Sequence, residues 1–227
     1  MENPLVYSVS VMHANLVRLE NDLTALEAAG CGELHFGVMD GHFAPGFGPG
    51  FETIEAVRAC CGLPCAAHLM VSDPGRYIER FAEAGCSSIT VHVEACVHAH
   101  RVLNQIRDAG VSPGIAINPA TPLTKLDYLL ESADRVLLMT REPGDPGPPL
   151  IRAAFERIRL LNENLRYRKL GTRIEAGGEL DADHAALVAN AGATIIECGR
   201  TAIFDGRNPG EALEAFRDAV AARRMTV

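Results

Sequence analysis

A recurring helix–glycine–strand unit is the feature that most constrains how this chain can fold. In each unit an alanine-rich amphipathic stretch ends at a glycine, and an apolar stretch suited to a strand follows within a few residues. A glycine after a helix supplies the left-handed backbone conformation of a C-cap. Strands that are apolar on both faces are typical of buried parallel sheets. The clearest units are ALEAAGCGELHF (25–36), RFAEAGCSSITVHV (80–93), IRDAGVSPGIAIN (106–118) and LVANAGATIIECG (187–199).

The same alternation extends along the whole chain and predicts eight strands and eight helices. Several helix starts are marked by a capping side chain followed by a proline, as at Asp73-Pro74 and Asn208-Pro209. Eight such units predict an α/β fold, a single (β/α)8 barrel domain over residues 1–227. A doubly wound open sheet is the alternative, but its GxGxxG phosphate-binding sequence is missing after the first strand. The predicted strands are 5–11, 33–39, 64–69, 88–93, 114–118, 134–139, 172–176 and 194–198, and the predicted helices are 16–29, 51–60, 74–85, 97–109, 122–132, 149–164, 182–191 and 210–223.

The composition narrows the classes of function. A formal net charge of −8, without a long run of like charges, argues against nucleic acids and anionic membranes as partners. No apolar stretch approaches the roughly 18 residues that span a bilayer, and the N-terminal sequence lacks a signal-peptide pattern. The seven cysteines are scattered and form no CxxC pair, which is typical of buried thiols in a reducing compartment. We therefore expect a cytoplasmic protein that acts on a small molecule.

Polar and methionine side chains gather where the predicted strands end. In (β/α)8 barrels the chemistry takes place at the C-terminal ends of the strands. Three histidines, His35, His68 and His92, lie at the same level of three successive strands, which favours a ligand or substrate role for the first two. A hydrogen-bonded structural role is the alternative, and strand-end methionines are by default flexible core fillers. The other residues at strand ends are Ser10, Met39, Met70, Glu94, Asn118, Met139 and Glu175.

Five stretches of the chain carry a family resemblance: HFGVMDGHFAP (35–45), HLMVSDPGRYIERFAEAG (68–85), TVHVEAC (90–96), NPATPL (118–123) and LLMTREPG (137–144). Together they resemble the ribulose-phosphate 3-epimerase family. The resemblance implies a (β/α)8 barrel that inverts the carbon next to a ketose carbonyl, through an enediolate held on a divalent metal (Zn, Mn or Fe). It also implies a sugar or sugar phosphate as substrate, and a homo-oligomer. In the family, two histidines and two aspartates hold the metal, and the aspartates also serve as general base and general acid.

Carried over residue by residue, the resemblance places His35 and His68 on the two histidine ligands. It places Gly37 on the first aspartate. The second aspartate falls on Gly177 or, in the alternative alignment, on Ala176, and neither residue carries a carboxylate. The substrate-contacting serine and methionines of the family correspond to Ser10, Met39, Met70 and Met139.

Glycine in place of both aspartates leaves the family's chemistry incomplete. Proton abstraction next to a carbonyl needs a base within about 3 Å, and two imidazoles are short of the three or four ligands that hold zinc. Glu175 lies two residues before Gly177 on the same strand face, which makes it the candidate catalytic residue. The two glycines also predict a widened cavity and very weak turnover of D-ribulose 5-phosphate. Asp40 matches the family's turn, where a capping role is expected.

The phosphate-binding loops also depart from the family's pattern. In the stretch 142–149, prolines remove backbone donors and Asp145 adds a negative charge. Glu179 stands where the family has a glycine. Arg200 is suited to clamp a phosphate or a carboxylate, and the alternative is that it pairs with Glu179 or Asp145. The candidate substrate-binding residues of these loops are Gly144, Gly147, Gly178, Gly199 and Arg200.

Two classes of function remain open from the sequence. One is a ribulose-phosphate 3-epimerase-like isomerase of ketoses or ketose phosphates, favoured by the resemblance and by His35 and His68. The other is a divergent member without metal-dependent epimerase activity, favoured by Gly37, Gly177 and the altered phosphate loops. Such a member would be a lyase or isomerase for another small anionic substrate, or a binding protein without catalysis.

Overall fold

Eight parallel strands follow one another in chain order around a closed barrel in the computed structural model, which describes residues 4–144 and 152–225. The last strand pairs with the first, with Val6 opposite Ile195, so the sheet has no free edge. The structure confirms the predicted (β/α)8 barrel. The strands are β1 Val6–Ser10, β2 Glu33–Met39, β3 Cys65–Met70, β4 Ser88–His92, β5 Ser112–Ile117, β6 Arg135–Met139, β7 Arg173–Gly177 and β8 Ile195–Cys198.

Seven α-helices cover the outside of the barrel within the described residues. Four of the predicted C-cap glycines, Gly30, Gly85, Gly110 and Gly192, have positive φ angles of 70°, 94°, 78° and 119°, as the helix–glycine–strand units predict. The helices are α1 Leu19–Ala28, α2 Phe51–Cys60, α3 Ile78–Glu83, α4 Ala99–Asp108, α5 Ala153–Arg168, α6 Ala182–Ala191 and α7 Pro209–Arg224. None of the helices in the described part of the chain is both long and apolar enough to cross a membrane.

The prediction of a helix over 122–132 is wrong. The structure has two 3-10 turns there, Leu123–Leu126 and Leu130–Ser132. The carbonyl oxygen of Asp127 accepts from the Arg168 guanidinium at 2.6 Å, and that of Leu130 accepts from the Thr172 hydroxyl at 3.0 Å. The Arg168 contact competes with the hydrogen bond that the Asp127 oxygen would accept inside an α-helix, whereas the Leu130 oxygen lies in the last turn, where an α-helix leaves it free.

Two further helices begin differently from the prediction. A 3-10 turn, Leu16–Arg18, precedes α1, and another, Pro74–Arg76, precedes α3. The predicted start of the helix at 149 lies outside the described residues. Short 3-10 turns are common at helix ends, so these differences move boundaries and leave the barrel unchanged.

A layer of buried charges fills the barrel below its C-terminal mouth. The guanidinium of Arg135 donates to both carboxylate oxygens of Glu33, at 2.8 and 2.9 Å, and to Glu175 at 3.2 Å. The hydroxyl of Ser8 also donates to Glu33 at 2.8 Å. Buried charges are tolerated when they are paired and hydrogen-bonded. This layer therefore forms a floor on which the side chains of the mouth rest.

Candidate functional site

A cavity of about 300 Å³ opens at the C-terminal mouth of the barrel. Strands β1, β2, β3, β6 and β8 and the loops that follow them supply its walls, as expected for a barrel of this kind. Most of the predicted site residues lie in this one place. Those that line it are Ser10, His35, Met39, His68, Met70, Met139, Gly144, Gly178 and Arg200.

Two of the predicted site residues in the described part of the chain do not line the cavity. Glu175 is 1% exposed and lies below the cavity, against the charged floor. Gly199 is not among the residues that line the cavity, and its carbonyl oxygen accepts from the amides of Ile203 and Phe204. Gly147 lies outside the described residues. The candidate catalytic carboxylate of the sequence is therefore not in contact with the space where a substrate would bind.

His35 lies between two carboxylates. Its Nδ1 is 3.4 Å from Oε1 of Glu175 below it, and its Nε2 is 4.0 Å from Oε1 of Glu197 at the cavity. Burial alone would disfavour the imidazolium, but the charges of Glu197 and Glu175 outweigh burial and raise the pKa of His35. His35 can therefore be protonated and donate a hydrogen bond toward the cavity.

His68 has the opposite electrostatic environment. Burial and the neighbouring His92 and His35 hold the pKa of His68 well below its usual range, so its ring is neutral. Nε2 of His68 and Nε2 of His92 are 2.8 Å apart, and the two rings stack with centroids 4.9 Å apart. His92 in turn lies 3.4 Å from the Glu94 carboxylate. His92 is thus a support behind His68, fully buried, and does not itself line the cavity.

The space in front of Gly177 is occupied by the carboxylate of Glu197. In the pairing of β7 with β8, Glu175 lies beside Ile195 and Ala176 beside Ile196, so the register continues to Gly177 beside Glu197. Neighbouring residues of paired strands point to the same side of a sheet. A Cβ placed on Gly177 would overlap Oε2 of Glu197. The carboxylate that β7 lacks is therefore supplied by β8.

Glu197 is held in this position by the backbone. The amide of Gly178 donates to Oε2 of Glu197 at 2.9 Å. Burial raises the pKa of Glu197, the nearby His35 opposes the rise, and Glu175 adds to it. A carboxyl group whose pKa is raised by burial at a cavity wall is suited to accept and return a proton.

The space in front of Gly37 is filled by a thioether. A Cβ placed on Gly37 would lie 2.8 Å from Sδ of Met12 and 3.0 Å from Cε of Met70. Met12 follows β1 directly and lines the cavity. The sequence predicted a cavity widened at both glycines, but the structure fills both places, at Gly37 with a side chain that cannot carry a proton.

The side chains of the mouth do not fit the divalent metal of the family. Two of the four expected ligands, His35 and His68, are present, and one ring nitrogen of His68 is engaged by His92. Met12 occupies the place of the first missing carboxylate. No group of three or more His, Cys, Asp or Glu side chains in residues 4–144 and 152–225 is arranged to hold a metal ion. Two imidazoles alone fall short of a zinc site, so no catalytic step is assigned to a metal here.

The outer edge of the cavity, which we call the rim, is charged. It consists of His13, Arg141, Glu142, Glu179 and Arg200. Oε1 of Glu179 lies 3.3 Å from Nε2 of His13, and a guanidinium nitrogen of Arg200 lies 3.4 Å from that same histidine nitrogen. Arg200 and Glu179 thus meet through His13, close to the pairing that the sequence offered as an alternative.

Asp40 has the capping role that the sequence predicts. Its Oδ1 accepts from the amides of His42 and Phe43 at 2.9 and 2.8 Å. Its Oδ2 accepts from the amide and the hydroxyl of Ser72, both at 2.8 Å. These bonds hold the pKa of Asp40 below its usual range despite the opposing effect of desolvation. Asp40 therefore ties the loop after β2 to the loop after β3.

Sequence reasoning missed five residues that line the cavity. One available signal is the glutamate in the apolar run IIECG, because alternation along β8 places it on the same face as Ile195. The residues of the loops give no such signal, because their placement depends on contacts between distant parts of the chain. The five missed residues are Met12, His13, Arg141, Glu142 and Glu197.

Comparisons with known proteins agree with the sequence resemblance. The profile of the ribulose-phosphate 3-epimerase family matches residues 6–204. The ribulose-phosphate 3-epimerase of Bacillus subtilis is 35% identical over 209 residues, covering 92% of this chain and 96% of that enzyme. The enzyme of the same name from Escherichia coli K12 is 33% identical over 213 residues, covering 93% of this chain and 94% of that one.

Solved structures show the same fold at low sequence identity. KGPDC from Streptococcus mutans superposes with a TM-score of 0.72 at 15% identity, covering 96% of this chain and 98% of that chain. A mutant tryptophan synthase alpha-subunit from Pyrococcus furiosus superposes with a TM-score of 0.66 at 16% identity, covering 100% of this chain and 99% of that chain. At this level of identity the likeness concerns the barrel and not the chemistry.

Proposed function

The chain belongs to the ribulose-phosphate 3-epimerase family, and from that premise we propose that it transfers a proton at the carbon next to the carbonyl of a ketose or ketose phosphate. Glu197 is the proton carrier in this proposal. One observation carries it: the Glu197 carboxylate occupies the space in front of Gly177, at the cavity wall and 4.0 Å from Nε2 of His35.

The proposed reaction needs a carboxylate that removes and returns the proton and a group that stabilises the enediolate oxygen. Glu197 removes the proton from the carbon next to the carbonyl, and the electrons of the C–H bond move into the carbon–carbon bond of an enediolate. Negative charge then develops on the former carbonyl oxygen. Groups that stabilise that charge in a water-poor cavity supply a large part of the acceleration in such reactions. Glu197 finally returns the proton to carbon.

His35 is the proposed stabiliser of the enediolate oxygen. The carboxylates of Glu197 and Glu175 raise the pKa of His35 against the effect of burial, so the ring can donate from Nε2 into the cavity. His68, which burial and its histidine neighbours keep neutral, is a second polar group that lines the cavity. It can orient a substrate hydroxyl without adding charge.

Glu175, the candidate catalytic residue of the sequence, is assigned a positioning role. It lies 3.4 Å from Nδ1 of His35 and 3.2 Å from the guanidinium of Arg135, and it does not reach the cavity. A carboxylate close to one ring nitrogen favours the protonated form of the imidazole. Glu175 therefore acts through His35.

The surroundings of the protein are part of the proposal. All seven cysteines are free thiols, which supports a reducing compartment such as the cytoplasm. Association with further copies of the chain is also part of the proposal, because the resemblance to the family implies it. Size-exclusion chromatography with light scattering measures the oligomeric state directly.

Hydrogen exchange at carbon tests the proposed function. The protein is incubated with D-ribulose 5-phosphate or D-ribulose in D2O, and proton NMR follows loss of the signals next to the carbonyl. We expect exchange with the wild type and a loss of on the order of a hundred- to ten-thousand-fold in Glu197→Gln. A chelator is expected to leave the rate unchanged, because the described donors do not form a metal site.

The control is Glu214→Gln, which removes an exposed carboxylate of α7 that does not line the cavity. It should retain exchange within a few-fold of the wild type. Absence of exchange with both ketoses contradicts the proposed function and favours the alternative class, a lyase or isomerase for another small anionic substrate or a binding protein without catalysis. Exchange that stops when metal is removed contradicts the metal-independent mechanism.

A further inference from the structure

The rim of the cavity contains the carboxylate of Glu179. Glu179 follows Gly178 at the end of β7, with a φ angle of 61° in the left-handed region that side chains other than glycine rarely adopt. The amide of Gly178 donates to Glu197, so that backbone donor is used inside the protein. The loop after β7 thus places the Glu179 carboxylate at the rim, whereas the amide of the neighbouring Gly178 donates to Glu197.

One histidine and two arginines lie around the Glu179 carboxylate. Its Oε1 lies 3.3 Å from Nε2 of His13, and Arg200 contacts the same nitrogen at 3.4 Å. Burial alone would raise the pKa of Glu179, but His13, Arg200 and Arg141 outweigh burial and lower it. The carboxylate is therefore ionised at neutral pH and neutralises charges that would otherwise attract a substrate anion.

The formal charges of the described rim residues cancel. Arg141 and Arg200 are positive, and Glu142 and Glu179 are negative. A phosphate dianion entering this space would meet the Glu179 carboxylate at short range, and like charges at about 5 Å repel appreciably in a partly buried site. A hydroxyl group would meet no such repulsion and would find both donors and acceptors.

We propose that Glu179 is a specificity-determining residue, an internal anion at the rim that disfavours phosphate esters and selects an uncharged ketose. The proposal rests on the proposed function, because it narrows the substrate class of the same cavity. It assigns Arg141, Arg200 and His13 to holding Glu179 and the hydroxyl end of the substrate, in place of a phosphate.

Isothermal titration of D-ribulose and D-ribulose 5-phosphate into the wild type, Glu179→Gln and Glu179→Gly tests the proposal. We expect the wild type to bind D-ribulose at least as tightly as its phosphate ester. Both variants should gain about tenfold or more in affinity for the ester, and the gain should shrink at high salt. Affinity for D-ribulose should change by less than about threefold. Glu214→Gln, an exposed residue of α7, should alter neither affinity.

Three results would overturn the proposal. The first is a wild type that binds the phosphate ester more tightly than the free ketose. The second is a gain in Glu179→Gly alone, because that variant removes bulk and backbone strain as well as charge. The third is no gain in either variant. Each of these is a binding result, so it is distinct from a failure of hydrogen exchange, which would contradict the proposed function.

Discussion

The places in front of Gly37 and Gly177 show two different outcomes of the same substitution. Both glycines stand at positions where the family resemblance expects a catalytic aspartate. In front of Gly37 the space is taken by the thioether of Met12, and in front of Gly177 it is taken by the carboxylate of Glu197. One side of the cavity has become apolar, and the other has kept an acid on a neighbouring strand.

The comparison shows that loss of an aspartate from one strand does not by itself remove a carboxylate from the cavity. Because β8 lies beside β7 in register, a glutamate one strand away reaches the place that an aspartate on β7 would occupy. Among the described residues, no carboxylate fills the space in front of Gly37, where Met12 and Met70 are the nearest side chains. The cavity therefore has a proton carrier on one side only.

The largest expected consequence concerns stereochemistry. Inverting a carbon requires that the proton leave one face and return to the opposite face, which takes two carriers or a carrier that moves across the substrate. With Glu197 as the single carrier, we expect exchange of the hydrogen next to the carbonyl to be at least about a hundredfold faster than inversion. NMR of D-ribulose and D-xylulose signals in D2O measures both rates in one sample. Inversion as fast as exchange would show a second carrier on the Gly37 side.

A second prediction compares the stability of alanine variants at the two glycines. Gly177→Ala is expected to cost about 1–3 kcal/mol of unfolding free energy, because its Cβ meets the bonded carboxylate of Glu197 and lies 3.0 Å from Cδ1 of Leu137. Gly37→Ala should cost less than about 1 kcal/mol, because the atoms it meets are the flexible ends of Met12 and Met70. Urea unfolding measures both.

The control for that comparison is Gly171→Ala, where nothing lies within 4 Å of the added Cβ. It should stay within about 0.5 kcal/mol of the wild type. An equal loss of unfolding free energy at Gly37 and Gly177 would contradict the account. It would mean that Glu197 moves away from an added Cβ as easily as Met12 does.

A third prediction concerns the pH dependence of stability. Burial raises the pKa of Glu197 in the folded protein above its unfolded value near 4.5, with His35 opposing and Glu175 reinforcing the rise. The folded state therefore holds the proton more strongly, and Glu197 costs stability as pH rises from the unfolded pKa through the folded pKa. We expect Glu197→Gln to unfold at higher temperature than the wild type at neutral pH, and the difference to vanish below about pH 4. A difference that grows toward acid pH would contradict the raised pKa.

The smallest expected effect concerns the positioning of His35. Glu175→Gln removes one of the three carboxylates that raise the pKa of His35, so that pKa should fall. Nitrogen-15 NMR titration of the imidazole measures it. Glu94→Gln is the matched control, because Glu94 contacts His92 and not His35, and it should leave the pKa of His35 unchanged. No fall in Glu175→Gln would show that Glu175 has no influence on His35.

The fold was predictable from local signals, whereas the arrangement of the cavity was only partly so. Each C-cap glycine and each apolar strand can be recognised within about a dozen residues. The one failed helix, over 122–132, depends on Arg168, which lies far along the chain. His35 and His68 were predicted because alternation along a strand places them toward the barrel interior.

Glu197 was not predicted because its role depends on the pairing of two strands. Only the pairing of β8 with β7 shows that the Glu197 carboxylate fills the space left by the absent Cβ of Gly177. The placement of Met12 depends in the same way on a contact between the turn after β1 and strand β2. Alternation along β8 places Glu197 toward the barrel interior, but no spacing in the sequence connects it with Gly177.

Moving the carboxylate back to β7 tests the central claim most directly. The exchange rate is measured for Glu197→Ala and for the double variants Gly177→Asp with Glu197→Ala and Gly177→Asn with Glu197→Ala. If Glu197 supplies the carboxylate that Gly177 lacks, the aspartate variant recovers at least about tenfold over Glu197→Ala, and the asparagine variant, which cannot carry a proton, recovers nothing. A folded aspartate variant that exchanges no faster than Glu197→Ala would contradict the claim.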